Sequence, residues 1–311
     1  MSVNQAECVS INTAVLFLVF NRLDTTKQVF EAIRLAKPPR LYIAADGARG
    51  SREGDKEKVQ AVRDYVMSNI DWSCEVRTLF REQNLGCMNA VSSAITWFFE
   101  NEEMGIILED DILPESQFFE YMDTALSYFK DSTEIGVVCG YNPLGEFNSP
   151  APFLACYPHI WGWGTWKRVW AKYSVELTDD IDVIENQILS VALNKRAAKC
   201  IAAAARNIKI GELNTWDLQF GLTVTKNKLL ALYPHKNTVR NIGFNGDATH
   251  TQSGESAISF VSIKNLTVFS DVRLRRDFDR LRFGHEYPGF FKRVYLKFIN
   301  MYKAINERNI R

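Results

Sequence analysis

Three consecutive acids, Glu109, Asp110 and Asp111, follow the apolar run Gly105–Leu108 and are closed off by Ile112-Leu-Pro114. Carboxylates are costly to bury without a partner, so such a cluster at the end of a strand calls for a cation. In an open α/β sheet, ligands sit just outside the carboxyl ends of the strands, which is where these acids fall. A hard divalent ion carrying a diphosphate fits that position. A bare acidic pair usually marks a solvated turn. Here an apolar strand precedes the acids and a helical pattern over Glu115–Phe129 follows them, a strand-loop-helix context typical of α/β sites.

Two other groups reach the same edge. Arg22 closes the first apolar run, in Phe20-Asn-Arg22, where a guanidinium can pair with a diphosphate or form an ordinary surface ion pair. Asp46 closes the second, in Ala45-Asp46-Gly47, where a carboxylate can accept from a ribose or a base N–H or simply form an Asp-Gly turn. Four acids and one arginine on one rim describe a metal-nucleotide site better than a carboxylate pair for hydrolysis. The chain has neither G-x-x-x-x-G-K nor a G-x-G-x-x-G after a strand, so P-loop and dinucleotide chemistry lose support.

Short apolar runs alternating with helical patterns must position these groups, which predicts βαβ units and a mostly parallel sheet. Strands are expected at Ala14–Phe20, Leu41–Ala45, Glu75–Phe80, Ile106–Leu108, Ile135–Cys139 and Leu229–Leu232. Helices are expected over 25–35, 57–68, 88–100, 166–173 and 181–206. From about residue 141 the pattern loosens into sequence rich in Pro, Gly and aromatics. That stretch includes Trp161-Gly-Trp-Gly-Thr-Trp166 and is expected to shape a substrate pocket. The tryptophans could stack on sugar faces or pack loops on a core. His159 and His235, each after a proline, are expected to be structural.

With 311 residues and 37 basic against 37 acidic side chains, the chain can bury a substantial core and gives no charge argument for nucleic acid. Six scattered cysteines without C-x-x-C spacing argue against zinc and a disulfide framework. No signal-peptide succession is seen and Ala14–Phe20 is too short to span a bilayer, so a cytoplasmic location is expected. Arg273–Arg311 is different in character, with eleven Lys/Arg, four Asp/Glu and several aromatics. Such a segment either packs back as helices or lies on an anionic membrane.

Taken together, the motifs resemble metal-dependent glycosyltransferases of the GT-A fold, nearest the N-acetylglucosaminyltransferase I type and its bacterial relatives. The resemblance runs through most of residues 13–252. It rests on Phe20-Asn-Arg22, Ala45-Asp46-Gly47, Leu108-Glu-Asp-Asp111 with Phe118-Phe119-Glu120-Tyr121, Gly162-Trp-Gly164, Trp216-Asp217, and Gly243-Phe-Asn-Gly246 leading to Thr249-His250. It implies a Rossmann-like α/β fold, a mixed, mostly parallel sheet flanked by helices. A catalytic domain would span 1–255, with a basic aromatic, helical C-terminal extension over 256–311.

The resemblance also implies roles. Asp111 would be the direct ligand of Mn²⁺ or Mg²⁺, with Glu109 and Asp110 touching sugar or ribose hydroxyls or orienting the ligand shell. Arg22 and Asp46 would contact the nucleotide, His250 the diphosphate, and Asp217 would be the catalytic base; read from the residues alone, Asp217 could instead be a helix N-terminal acid with Asn214 or Thr215 as cap. A divalent ion stabilises the departing diphosphate as a Lewis acid, and one carboxylate suffices to deprotonate an attacking hydroxyl, which favours inversion. The expected function is transfer of a sugar from a nucleotide-sugar donor to a saccharide or lipid-linked saccharide acceptor, in bacterial surface polysaccharide (O-antigen or capsule) synthesis. The rival readings are a sugar-1-phosphate nucleotidyltransferase and a catalytically silent protein that keeps the fold. Three features depart from the family: Ser92, Ser93 and Ala94 stand where a nucleotide-contacting histidine can occur, Leu218 rather than a second acid follows Asp217, and no N-terminal anchor and stem of the Golgi kind is expected.

Overall fold

The computed structural model describes residues 11–145, 152–243 and 272–286. The chain opens with β1 (Ala14–Val19), α1 (Leu23–Ala36), β2 (Arg40–Ala45), α2 (Asp55–Ser68), β3 (Glu75–Phe80), α3 (Gly86–Asn101) and β4 (Met104–Glu109). These strands lie in the order β3-β2-β1-β4 and all run parallel. Every residue of β1 is buried, as expected of a parallel strand covered by helices on both faces. The chain first winds from β1 outward to β3, then crosses back to place β4 on the other side of β1. The C-terminal ends of β1 and β4 therefore flank the point where the winding reverses. That is where an open α/β sheet leaves a crevice.

The second half adds β5 (Ile112–Pro114), α4 (Phe118–Tyr128), β6 (Ile135–Cys139), β7 (Phe153–Ala155), β8 (Trp163–Trp166), α5 (Lys167–Trp170), α6 (Ile181–Ala192), α7 (Lys195–Lys209), α8 (Asp217–Lys226), β9 (Leu230–Tyr233), β10 (Val239–Asn241) and α9 (Val272–Glu286). The main sheet continues β4-β8-β6-β9-β7, with β8 and β7 antiparallel to their neighbours. The architecture is thus α/β, an eight-stranded mixed and mostly parallel sheet flanked by helices, with a helical segment near the C-terminus. A separate two-stranded ribbon pairs β5 with β10. Among the described residues no helix is long and apolar enough to cross a membrane.

Three elements differ from expectation. The tryptophan segment is not a loop, because Trp163–Trp166 forms β8 in the middle of the sheet. Gly164 permits this: a Cβ there would lie 2.9 Å from Leu126 Cδ1 and 3.1 Å from the Gly105 carbonyl oxygen. Trp163 and Trp166 are core residues, 1% and 2% exposed, so neither forms a sugar platform. The long helix expected over 181–206 is two helices, broken where Leu193 turns left-handed at φ 50° and Asn194 Oδ1 accepts from Arg196 N and Ala197 N. A side chain that satisfies the free amides of a new helix start outcompetes continued periodicity. The helix expected over 166–173 shortens to α5, because Trp166 belongs to β8.

The described part of the basic C-terminal segment, α9, packs on the protein. Phe278 joins the main core, and Phe283 joins a smaller cluster with Ile184, Ile188, Ile201 and Leu222. Two charged residues are buried with them, Asp279 and Arg282. Asp279 accepts from Cys156 N at 2.9 Å, yet burial pushes its carboxyl up to about 6. An acid whose pKa rises on folding favours the folded state only while protonated, so stability declines as pH climbs from the unfolded value toward 6. Asp279→Asn should remove this decline, leaving the variant more stable than the parent above pH 6 by up to about 3 kcal/mol. Urea unfolding at acid and neutral pH measures the difference.

Candidate functional site

Arg22 immediately precedes α1, and its carbonyl accepts from Thr26 N at 3.0 Å and Thr26 Oγ1 at 2.7 Å. With its backbone held by the helix, the side chain crosses to the end of β4. Nη2 donates to Asp110 and Nη1 to Asp111 Oδ2 at 2.8 Å. Burial opposes the arginine's charge, but the two aspartates still raise its pKa above the ordinary guanidinium value. Asp110 is buried, and its second oxygen accepts from Phe20 N at 3.3 Å. Burial raises Asp110 despite Arg22, and burial together with Asp111 and Asp110 pushes Glu109 up to about 8. The structure therefore brings Arg22, Glu109, Asp110 and Asp111 to the winding reversal, as the motif reading expected of its central four residues.

Asp46 reaches the same rim, but its carboxylate is engaged. It accepts from Leu85 N at 3.0 and 3.1 Å, Gly86 N at 3.1 Å and Asn84 Nδ2 at 3.0 Å. These amides belong to the start of α3, whose first free N–H groups need acceptors. From the opposite side, Asn214 Oδ1 accepts from Met88 N at 2.8 Å. Asn214 thus caps α3, not α8, and the residue preceding α8 is Trp216 with no side-chain cap. Trp216 stacks on the buried Trp163 with ring centroids 5.8 Å apart, which fixes the start of α8 and hence Asp217. Asp217 is exposed, and its Oδ1 accepts from Thr215 Oγ1 and from Leu218 N.

The α3 start separates two cavities. One, of about 340 Å³, is lined by Arg22, Asp46, Arg49, Arg81, Glu109 and Asp110 on its polar side and by Ala44, Ala45, Ala90 and Ala94 on its apolar side. The other, of about 540 Å³, contains Asp217 together with Tyr157, His159, Trp161, Arg282, Phe283 and Glu286. Glu109 and Cys87 line both, so the cavities meet at the acid cluster. Burial and the negative charges of Glu109, Asp217 and Asp46 push the Cys87 thiol up to about 11, which keeps it protonated and a poor nucleophile at neutral pH.

Several lining residues were missed by the motif reading. Arg81 directly follows β3, and Arg49 lies four residues past β2 with its guanidinium 5.0 Å from the Phe20 ring centroid and paired to the buried Asp55. The positional rule that singled out Arg22, a cation just past a strand's C-terminal end, would have found Arg81. Nothing local flags Arg282 and Glu286, which lie far away in sequence on α9. His250 and the loop that contains it lie outside the described residues, apart from Gly243. Among the described residues, no group of three or more His, Cys, Asp or Glu side chains is arranged to hold a metal ion.

No protein-family model matches the sequence, and no curated protein matches it. Solved structures with some likeness include S. aureus TarS residues 1–349, at 11% identity and TM-score 0.38 over 65% of this chain and 72% of that one. HddC from Yersinia pseudotuberculosis matches at 8% identity and TM-score 0.32, over 53% of this chain and 82% of its own. A UDP-glucose pyrophosphorylase complexed with UDP-glucose matches at 9% and 0.38, over 75% and 94%. At these identities and scores the likenesses decide neither family nor activity.

Gly243 closes over the cluster. Ile242 N donates to the Asp111 carbonyl at 2.8 Å, and a Cβ on Gly243 would fall 2.4 Å from Asp111 Oδ2 and 3.0 Å from Arg22 Nη1. Gly243→Ala should therefore displace the Arg22–Asp111 pair while leaving the core intact. Calorimetry with Mn²⁺ and a nucleoside diphosphate is expected to show affinity weaker by roughly tenfold or more at an almost unchanged melting temperature.

Proposed function

We propose that this chain is a nucleotide-sugar-dependent glycosyltransferase. The observation that carries the reading is the pair of cavities meeting at Glu109, one rimmed by three guanidiniums and the other holding the exposed carboxylate of Asp217. A nucleoside diphosphate fits the first: the alanines leave a slot for a base, and Arg22, Arg49 and Arg81 offer charge and directed N–H groups to phosphates. Asp46 acts through the loop that it holds, since its oxygens already serve Asn84, Leu85 and Gly86.

The donor set suits Mn²⁺ or Mg²⁺ held jointly with substrate. Hard divalent ions often take one or two carboxylates and complete their shell with phosphates and water. Asp111 engages Arg22 through Oδ2, leaving Oδ1 as the hard ligand it can give to the ion, with Glu109 and Asp110 beside it. When bound, the ion neutralises charge developing on the departing diphosphate. The chain's own residues supply the rest. Arg22 binds and orients the diphosphate oxygens, Glu109 stands where the sugar must pass between cavities, and Asp217 takes the proton of an acceptor hydroxyl from the far side. One base opposite one leaving group favours inversion. A saccharide or lipid-linked saccharide acceptor in bacterial surface polysaccharide synthesis, at the inner membrane face, fits this chemistry.

Two variants separate the roles, with nucleotide-sugar turnover and nucleoside diphosphate binding measured side by side. Asp111→Ala is expected to abolish metal-dependent nucleotide binding. Asp217→Asn is expected to keep that binding and lower transfer by about 10²–10⁴-fold, the span of a lost general base. Parental turnover in either variant refutes its assignment. Binding without turnover in the parent protein, across nucleotide sugars, favours the silent rival.

A further inference from the structure

The larger cavity has a charge pattern that selects its ligand. Its only buried cation among the described residues is Arg282, which is 3% exposed. Burial works against this charge, but Tyr233, Glu286 and Asp279 hold its pKa above the ordinary value. A guanidinium has five N–H donors, and four are already committed here. Nε donates to Glu286 Oε1 at 3.0 Å, Nη1 to the Tyr157 carbonyl at 2.7 Å and to Tyr233 Oη, and Nη2 to the Pro158 carbonyl at 3.2 Å. The group is a structural strut that ties α9 to the 157–158 segment. It has little left to offer an anion.

The other charged groups point the opposite way. Asp217 and Glu286 both present carboxylates to the cavity. Its imidazole, His159, is kept neutral because burial and the nearby Arg282 push its pKa well below the ordinary value. The remaining wall is aromatic: the Trp161 ring packs against His159 at 5.0 Å and Tyr141 at 4.6 Å and still lines the cavity, as does Tyr157. Aromatic faces beside hydrogen-bonding carboxylates suit the C–H faces and hydroxyls of a sugar. A phosphate or carboxylate on that sugar would meet negative charge, with no free cation among the described lining residues to receive it.

We propose that this cavity takes an uncharged sugar unit as acceptor and rejects uronic acids and phosphosugars, with α9 setting that selectivity through the Arg282–Glu286 pair. Naming the ligand an acceptor rests on the transfer reading above. The charge selection itself does not, because it follows from the cavity alone. Glu286 is the discriminating residue: it supplies one of the negative charges and simultaneously occupies Arg282 Nε. Removing its charge lowers the repulsion and takes from Arg282 the carboxylate that offsets its positive charge, so Glu286→Gln should admit acidic sugars that the parent excludes.

Saturation-transfer NMR at neutral pH, with the whole chain, Mg²⁺ and excess UDP or GDP, tests this. The probes are methyl glycosides of glucose, galactose, N-acetylglucosamine and rhamnose, set against methyl glucuronide, methyl galacturonide and glucose 6-phosphate. At least one neutral glycoside should bind the parent and no acidic probe should. Trp161→Ala should weaken the neutral ligand roughly tenfold or more, and Glu286→Gln should gain binding of an acidic probe. Equal or tighter binding of an acidic probe to the parent overturns the proposal, as does the absence of any bound glycoside or an unchanged preference in Glu286→Gln. Binding of a neutral glycoside to protein that binds neither nucleotide keeps the cavity's selectivity and removes the transfer reading, so the two failures are distinct.

Discussion

The site is organised by the double ion pair of Arg22 with Asp110 and Asp111. Two adjacent carboxylates at the end of β4 face away from bulk water, and Asp110 is buried outright. Left unpaired they would oppose folding, because a buried charge without a partner is far more costly than the same charge in water. A cation delivered from the neighbouring strand's end resolves this. The loop between β1 and α1 must therefore reach over β4, and the helix start holds the Arg22 carbonyl to keep it there. The same requirement draws Ile242 and Gly243 onto Asp111, which ties the β5–β10 ribbon to the cluster. An arrangement poised around charge in this way can exchange part of its pairing for an anion and a metal ion together.

A second constraint divides the crevice. The first amides of α3 are satisfied from both sides, by Asp46 at the end of β2 and by Asn214 just before α8. Holding this turn in place sets the wall between the smaller basic cavity and the larger aromatic one. Glu109 and Cys87 sit at the opening between them. A helix N-terminus beside a cluster of acids also lends the cavity some positive potential. The two halves of the chain thus meet through backbone amides as well as through the sheet.

Much of the first half was legible because parallel strands read as plain apolar runs and acids at their ends stand out. Arg22, Glu109, Asp110 and Asp111 converge for that reason, and the strand at Glu75–Phe80 falls where expected. The position of Asp46 at a strand end was legible, but not the four donors, Gly47 N, Asn84 Nδ2, Leu85 N and Gly86 N, that occupy its carboxylate. The tryptophan segment misled because glycine and aromatics suggest a loop, whereas Gly164 and Trp163 serve close strand packing that depends on Leu126 and Gly105, distant in sequence. The Asn194 break was visible only as one polar residue inside a helical pattern. Arg282 and Glu286 were illegible because an ion pair whose arginine is buried looks, in the sequence of a basic helix, like any solvated pair four residues apart.

The proposed role of the Arg22–Asp110–Asp111 cluster is to hold a nucleoside diphosphate and a divalent ion together. Calorimetric titration of UDP, GDP, dTDP, CDP and CMP, each with and without Mn²⁺, and of Mn²⁺ alone, tests it most directly. Saturable binding of at least one nucleoside diphosphate is expected only when Mn²⁺ is present. Mn²⁺ by itself should bind little, because Arg22 already neutralises the acids and no cluster of three or more ligands is available among the described residues. Tight binding of Mn²⁺ alone, nucleotide binding indifferent to the metal, or folded protein that binds none of them would contradict it.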